Sequence, residues 1–361
     1  MKKELTGYSQ EFRLSSPENT GPLKWLAGVY GENREIFKRK HTKLFIGPGM
    51  TENRKTDETA NNMALFGQAT YRVHERLYFT TGVRGDHTSM DGEQDYQKRI
   101  GRFTRLKKFD DSIDNTEVLP KLSVSFDLDQ KAMLYASISK GILNGGFNSV
   151  LGESLADFTY DPEQMWSYEL GAKTIWLDGR LLANISLFYL DIDDKQVMEV
   201  IGLNRRIANA ESASSRGLEL SIKARPVEGL DFFGGIGYLD ATFDDWQVDG
   251  YDYEGNSLTF APEYTFNAGV QYHHAPGVFA RLDMTGHSSF YTDAENQYEC
   301  EGFEIFNARL GYETASWDIV LCCKNLFDKE YIVERRKWSG SSEVVVDGDP
   351  LTVGIDFTWR F

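Results

Sequence analysis

The residues whose types and spacing could do chemistry are few. His273 and His274 are adjacent beside the short APG turn at 275–277. On an extended strand neighbouring side chains diverge, so a metal there would need ligands from elsewhere, and the pair reads as an ordinary turn position. His287, Ser288 and Ser289 set a base next to two hydroxyls where a strand meets a long connector. A hydrolytic serine must lie within hydrogen-bond reach of its base, a geometry that adjacent residues seldom reach, and no oxyanion donor can be assigned. DDWQVDGYDYEG (244–255) carries Asp244, Asp245, Asp249, Asp252 and Glu254 but lacks calcium-loop spacing, and it reads as a solvated loop. GILNGGF (141–147) is glycine-rich without the Lys-Ser/Thr of a phosphate cradle, and reads as the exit from a strand into a loop. No catalytic residue, metal-ligand set or cofactor is assigned.

Aromatic residues form a second group. Phe147, Phe158, Tyr160, Trp246, Tyr251, Tyr253, Tyr291 and Trp338 fall in or near long polar connectors. Arg335, Arg336 and Lys337 make a basic run beside Trp338 in an otherwise acidic chain. Ligand sites favour aromatic surface with a few polar anchors, and a basic run draws anions. An aromatic girdle at the rim of a membrane barrel has the same composition.

The elements that must hold these residues alternate with period two. In LTVGIDFTWRF, the final run, Leu351, Val353, Ile355, Phe357, Trp359 and Phe361 are apolar, while Thr352, Gly354, Asp356, Thr358 and Arg360 are small or polar. ALFGQATYRV, RLYFTTGVRGD, KAMLYASISKG, LLANISLFYLD, RGLELSIKAR, YTFNAGVQYH, VFARLDMTG and FNARLGYE alternate in the same sense. Their lengths match the nine to eleven or so residues that a tilted strand needs to cross a bilayer, against a mode near five or six in soluble sheets. Short turns (17–22, 74–76, 129–130, 178–179, 226–229, 275–277, 314–316) alternate with long connectors near 34–60, 89–114, 141–163, 192–212, 244–260, 288–301 and 327–350. That sorting is the asymmetry of an outer-membrane barrel. On the polar parity lie Arg84, Asp86, Arg281, Asp283, Asp356 and Arg360, which need no partner against a wet lumen.

Composition agrees. The 361 residues include 18 Tyr, 23 Phe and 33 Gly but only 9 Pro, a β-rich mixture. Mean hydropathy is -0.44 and no apolar run reaches helix-spanning length, which excludes a helical membrane protein. The net charge of -16 disfavours a nucleic-acid binder. Three cysteines do not make a disulfide scaffold. The MKKELTGYSQ start lacks the apolar stretch of a secretory signal, so either a signal was removed with a larger N-terminal portion or the chain stays inside the cell.

The reading predicts fifteen strands in one all-β domain over 1–361. With strictly alternating directions, an odd number sets the first and last strands parallel, and an open seam in hydrocarbon costs several kcal/mol per unpaired group. An N-terminally incomplete barrel is therefore expected, unless 95–106 or 196–208 adds a hairpin.

SQEFRLSSPENTGPLKWLAGVY (9–30), SKGILNGGFN (139–148), YDPEQMWSYELGAKTIWLDGRLLANISLFYLDIDDKQ (160–196), ANAESASSRGLELSIKARPVEGLDFFGGIGYLDATF (208–243), NLFDKEY (325–331) and IDFTWRF resemble the C-terminal part of a TonB-dependent outer-membrane receptor barrel. The resemblance implies about fifteen strands of a plugged 22-stranded barrel, with the plug and the early strands missing from this chain. It implies an outer-membrane transporter of a Gram-negative bacterium, not an enzyme, that takes up a ferric siderophore or similar scarce nutrient. It also implies contact with TonB only through the absent plug, and no competence for transport by these residues alone. Phe357, Trp359 and Phe361 then resemble the signal read by the barrel-insertion machinery, and outer-membrane lipid meets the apolar face. A passive channel or structural barrel is the alternative reading, and an outer-membrane hydrolase a more distant one.

Overall fold

A computed structural model describes residues 2–17, 21–44, 49–148, 158–201, 204–248, 250–274, 276–339 and 342–360. Fifteen strands form one antiparallel sheet in which consecutive strands are neighbours throughout. They are β1 (Lys2–Ser15), β2 (Leu23–Leu44), β3 (Met50–His74), β4 (Leu77–Ile100), β5 (Phe103–Asp127), β6 (Ala132–Leu143), β7 (Glu163–Trp176) and β8 (Leu181–Ile201). There follow β9 (Asn204–Val227), β10 (Leu230–Asp245), β11 (Tyr264–His274), β12 (Val278–His287), β13 (Phe303–Glu313), β14 (Trp317–Lys324) and β15 (Thr352–Trp359). No helix among the described residues is long and apolar enough to cross a membrane.

Three expected connectors are strand instead. β2 and β3 fill most of 34–60, β4 and β5 nearly all of 89–114, and β8 and β9 nearly all of 192–212. Thus 95–106 and 196–208 are hairpin tips, but they continue wall strands and the sheet keeps fifteen. The cause is physical: past the apolar band both faces meet polar surroundings, so alternation of hydropathy disappears while the backbone ladder goes on. Met50–Arg72 still pairs residue for residue with Tyr78–Ile100. The other long connectors carry short ladders of their own: Gly146–Phe147 with Thr159–Tyr160, Gln247–Val248 with Tyr251–Asp252, Phe290–Tyr291 with Glu299–Cys300, and Ile332–Ser339 with Ser342–Asp347.

The chain divides into two compact units, the first formed by Met1–Val124, Ser137–Ser167 and Ile192–Ser212. In it one sheet face is apolar and exposed, with Phe12, Val29, Met63, Leu65 and Val83. The opposite face of β3 and β4 is polar and covered, with Glu52, Arg54, Thr56, Thr88 and Gln94 buried. A small apolar core sits at the far end of that polar face: Met90, Tyr96 and Phe109 from the strands meet Phe147 and Phe158 from the 141–163 connector.

The second unit comprises Ser125–Ala136, Tyr168–Asp191 and Ala213–Phe361. Its apolar face runs across the register as Leu282, Leu310, Leu321 and Ile355, with Tyr238 directly opposite Tyr264 at ring centroids 5.2 Å apart. Val353, Ile355, Phe357 and Trp359 share that face, as the alternation of the last strand requires. Several glycines lie directly opposite a ring: Gly269 opposite Phe233, Gly286 opposite Phe266 and Gly311 opposite Phe279. A Cβ at any of them would run into that ring, so the missing side chain is what lets the aromatic lie flat on the strand.

Candidate functional site

In the first unit the polar face opens into a cavity of about 400 Å3 lined by Tyr30, Glu32, Arg34, Asn62, Arg84, Asp86, Asn115, Glu117 and Asn144, among others. β2 to β5 supply most of the lining, and the 141–148 exit adds Asn144. The walls are held by ionic and amide contacts. Arg84 Nη2 donates to Asp86 Oδ1 at 2.7 Å, and Glu117 accepts from Lys140 Nζ at 3.0 Å and Gln164 Nε2 at 3.0 Å. Asn62 Nδ2 donates to Thr88 Oγ1 at 2.7 Å. Arg34 has no ion-pair partner among the described residues. Its charge instead reaches Tyr160, whose hydroxyl is pushed above its ordinary value by burial first and Glu58 second, with Arg34 opposing. The lining thus sets two guanidiniums, Arg34 and Arg84, among amide side chains and three carboxylates, Glu32, Asp86 and Glu117; Arg84 and Glu117 are engaged in ion pairs, which leaves the Arg34 guanidinium as a donor that an oxygen-rich anion could use.

The aromatic candidates separate by burial. Phe147 and Phe158 are buried, 5.2 Å apart between centroids, and Phe158 is only 3% exposed. They pack the loop onto β4 and β5. Trp246, 4% exposed, stacks on Tyr253 at 4.6 Å and lies 4.9 Å from Phe243, forming the core of the 246–256 loop. Tyr251 stands 68% exposed at the tip of that loop. Tyr160 is half-buried near Arg34 and Glu58, and Tyr291 is half-buried with its carbonyl accepting from Phe260 N at 2.8 Å. Arg336 is paired with Glu334 at 3.0 Å, while Arg335 has Glu343 at 4.0 Å. The Trp338 side chain and Phe361 lie outside the described residues. Phe357 and Trp359 are exposed neighbours on one face of β15, 6.3 Å apart.

The remaining chemistry-bearing residues are engaged elsewhere. His287 Nδ1 donates to the Ser288 carbonyl at 2.7 Å, and Ser288 Oγ accepts from Tyr264 N at 3.0 Å while donating to the Ser289 carbonyl at 3.3 Å. Base and hydroxyl thus both serve backbone, and the hydrolase reading loses its nucleophile pair. His273 and His274 diverge: His273 stacks on Phe279 and His274 on Tyr272. Among the described residues no three His, Cys, Asp or Glu side chains gather as a metal site.

The NLFDKEY segment has a structural role. Asn325, 3% exposed and at φ 49°, donates from Nδ2 to the Lys329 carbonyl at 2.9 Å and the Asp349 carbonyl at 3.1 Å, while its Oδ1 accepts from Lys329 N at 2.9 Å. It ties the exit of β14 to the return toward β15.

Sequence reasoning overlooked Arg34 and the polar cavity, because Arg34 fell inside an expected loop. It also overlooked a density of cations. FKRKHTK (37–43) and KRIGRFTRLKK (98–108) contain no acidic residue in a chain of net charge -16. That contrast was the available signal.

Membrane-length antiparallel strands with one apolar exposed face, one polar face and long outer hairpins define an outer-membrane β-barrel protein of the Gram-negative type. The chain belongs to the TonB dependent receptor-like, β-barrel family, whose model matches residues 5–326. The pesticin receptor of Yersinia pestis is 25% identical over 352 residues, covering 96% of this chain and 50% of the receptor. The metal-pseudopaline receptor CntO of Pseudomonas aeruginosa is 25% identical over 342 residues, covering 92% of this chain and 44% of CntO. Among solved structures, the ferric yersiniabactin uptake receptor FyuA of Yersinia pestis superposes with a TM-score of 0.83 at 22% identity, covering 98% of this chain and 54% of FyuA. The chain thus spans about half the length of the relatives it matches.

Proposed function

We propose that this chain forms the greater part of the wall of a receptor that takes up a ferric siderophore or similar anionic metal chelate in a TonB-dependent manner. The observation that carries the reading is Arg34, a guanidinium without an ion-pair partner among the described residues, lining a polar cavity beside the half-buried Tyr160. Family membership and relatives named as receptors for pesticin and metal-pseudopaline support it. Tyr251, exposed at a loop tip, and Arg335 are further contacts for such a ligand, while Phe147, Phe158, Trp246 and Tyr253 shape the loops around it. The 1–361 span acts as one barrel-wall domain, and energised uptake belongs to the whole receptor, with TonB engaged through a plug domain. Phe357, Trp359 and Phe361 present the address read by the insertion machinery.

The test is titration of the whole receptor with ferric chelates of negative, zero and positive charge, with vitamin B12 and with neutral oligosaccharides. Tight binding of anionic ferric chelates alone, weakened in Arg34→Ala, is the expected result. Selective binding of B12 or sugar, or an Arg34→Ala protein indistinguishable from the parent, would overturn it.

A further inference from the structure

Charged residues two apart on a strand share one face, and when their signs differ the strand can close them on each other. Glu52 with Arg54, Lys55 with Asp57, Arg84 with Asp86, Arg281 with Asp283 and Glu334 with Arg336 all do so. Glu32 and Arg34 have the same spacing on β2, and both line the polar cavity. They form no ion pair with each other, and neither has an ion-pair partner among the described residues.

The cause lies in their neighbours. Tyr30, two residues back on the same face, donates from its hydroxyl to Glu32 Oε2 at 3.2 Å, which draws the carboxylate away from Arg34. Arg84 does not compete for it, being held by Asp86 and lying 5.5 Å from the Tyr30 ring. Arg34 stands directly between Gly7 on β1 and Ala60 on β3, with Met90 beyond Ala60. These give its guanidinium no charged acceptor and leave it exposed.

The other ionic groups of the lining are already engaged, Asp86 by Arg84 and Glu117 by Lys140. What is left is one carboxylate and one guanidinium whose Cα atoms are about 6.6 Å apart. A group with only negative charge would suit Arg34 and be repelled by Glu32, and a purely positive one would meet the reverse. An ammonium and a carboxylate on one arm satisfy both. Asn62, directly across from Glu32, donates from Nδ2 to Thr88, which leaves its Oδ1 as a second acceptor beside the carboxylate. At about 400 Å3 the cavity is at the small end of the roughly 300–1,000 Å3 of ligand sites, so it takes one arm of a chelate and not the whole. We infer that Glu32 and Arg34 form a two-point clamp for a zwitterionic arm of the chelate, with its ammonium on Glu32 and Asn62 and its carboxylate on Arg34. The inference rests on the reading of this cavity as part of the chelate site, and it narrows that site to chelates with a free amine.

Calorimetric titration of the whole receptor with three ferric chelates, all anionic overall, tests it. The first is a diethylenetriaminepentaacetate derivative whose side arm ends in an α-amino acid; the second has that amine acetylated, and the third has that terminal carboxylate converted to a carboxamide. The parent should prefer the first about tenfold over each of the others, equivalent to about 1.4 kcal/mol. Glu32→Gln should erase the preference over the acetylated probe and keep that over the carboxamide, and Arg34→Ala should do the opposite. Equal binding of the three by the parent, binding of none, or a Glu32→Gln receptor that still prefers the free amine overturns the clamp. If the three bind alike and Arg34→Ala weakens each, the clamp fails while the anionic-chelate reading stands; if Arg34→Ala also changes nothing, that reading falls with it. Should a variant fail to fold, the parent's ranking of the three probes still decides.

Discussion

Arg84 and Asp86, two residues apart on one strand face, form a two-point ion pair, with Nε to Oδ2 at 2.5 Å and Nη2 to Oδ1 at 2.7 Å. Same-face neighbours on a strand are about 6.6 Å apart at Cα, which a long guanidinium spans to reach a short carboxylate. Lys55 with Asp57 and Arg281 with Asp283 repeat the arrangement. The sequence reading left such charges to a wet lumen without partners; the two-residue spacing lets the strand supply its own. The Arg84 guanidinium also lies 5.5 Å from the Tyr30 ring and 5.7 Å from Phe66. Asp86→Ala should therefore destabilise by about 1–3 kcal/mol, because it strands a half-buried cation. The double variant with Arg84→Ala should recover part of that loss in a urea-unfolding cycle, and additive losses would show the pair to be uncoupled.

Gly269 is the floor under Phe233, and Phe233 in turn carries the Arg281 guanidinium 4.5 Å from its ring centre. Arg281 holds Asp283 at 2.7 Å, and Asn307 Nδ2 donates to the same carboxylate at 3.1 Å. Gly269→Val should push the ring off the strand and cost about 1–3 kcal/mol by overpacking. Combining it with Phe233→Ala should restore most of the loss, as thermal unfolding in detergent can measure. A Gly269→Val protein as stable as the parent would show that the ring has room to shift.

Much of this wall was legible in the sequence, and the reason is the membrane. Where one face meets lipid, as at Met63 and Leu65 or Ile355 and Phe357, hydropathy and backbone share a period of two. Past the band the two separate: Thr51 to Ala60 is paired strand on both sides but carries no apolar stripe, so it read as loop. The candidate cavity suffers most, because Arg34 sits on such an extension. The buried stack of Trp246 on Tyr253 was hidden for another reason. Composition records an aromatic loop but not whether its rings turn inward onto each other or outward to a ligand.

Asn325 makes three backbone hydrogen bonds from one side chain while its own φ is positive. Asn325→Ala should cost about 1–3 kcal/mol by leaving buried backbone groups unpaired. Asn325→Gly relieves φ but not the lost bonds, and Asn325→Asp keeps the acceptor but not the donors, so neither should restore the parent. Faster proteolysis of the 326–350 segment in all three variants would be the readout. Rescue by glycine alone would assign the whole effect to backbone strain.

Asp194 has φ 54° in the outer part of β8, and burial, then Asp161 and Asp193, raise its carboxyl above the ordinary value. A raised folded-state value means that the folded chain binds the proton more tightly. The associated stability is present below the unfolded value near 3.8 and is lost as pH rises through the folded one. Asp194→Asn, which tolerates the same backbone, should stabilise the hairpin at neutral pH by less than about 1 kcal/mol, since the group is solvent-exposed. The gain should vanish near pH 3. Hydrogen exchange of 192–212 measured at both values checks the sign, and a gain that is larger at low pH contradicts it.

Trp246 and Tyr251 divide the work of one loop. Trp246 is enclosed by Phe243 and Tyr253, and the Tyr253 N donates to the Trp246 carbonyl at 3.0 Å, so the ring fixes the path of the chain. Among the described residues Tyr251 is held by its backbone pairing with Val248, and its side chain is exposed. Trp246→Ala should therefore disorder the loop, costing about 3–5 kcal/mol of local stability, and should weaken every ligand that the loop touches. Tyr251→Ala should leave unfolding unchanged and alter affinity for the cognate chelate alone. Affinity and stability measured together on the two whole-receptor variants separate these roles. If Tyr251→Ala binds the chelate as the parent does, the exposed ring is not a ligand contact and the loop's aromatic content is accounted for by packing.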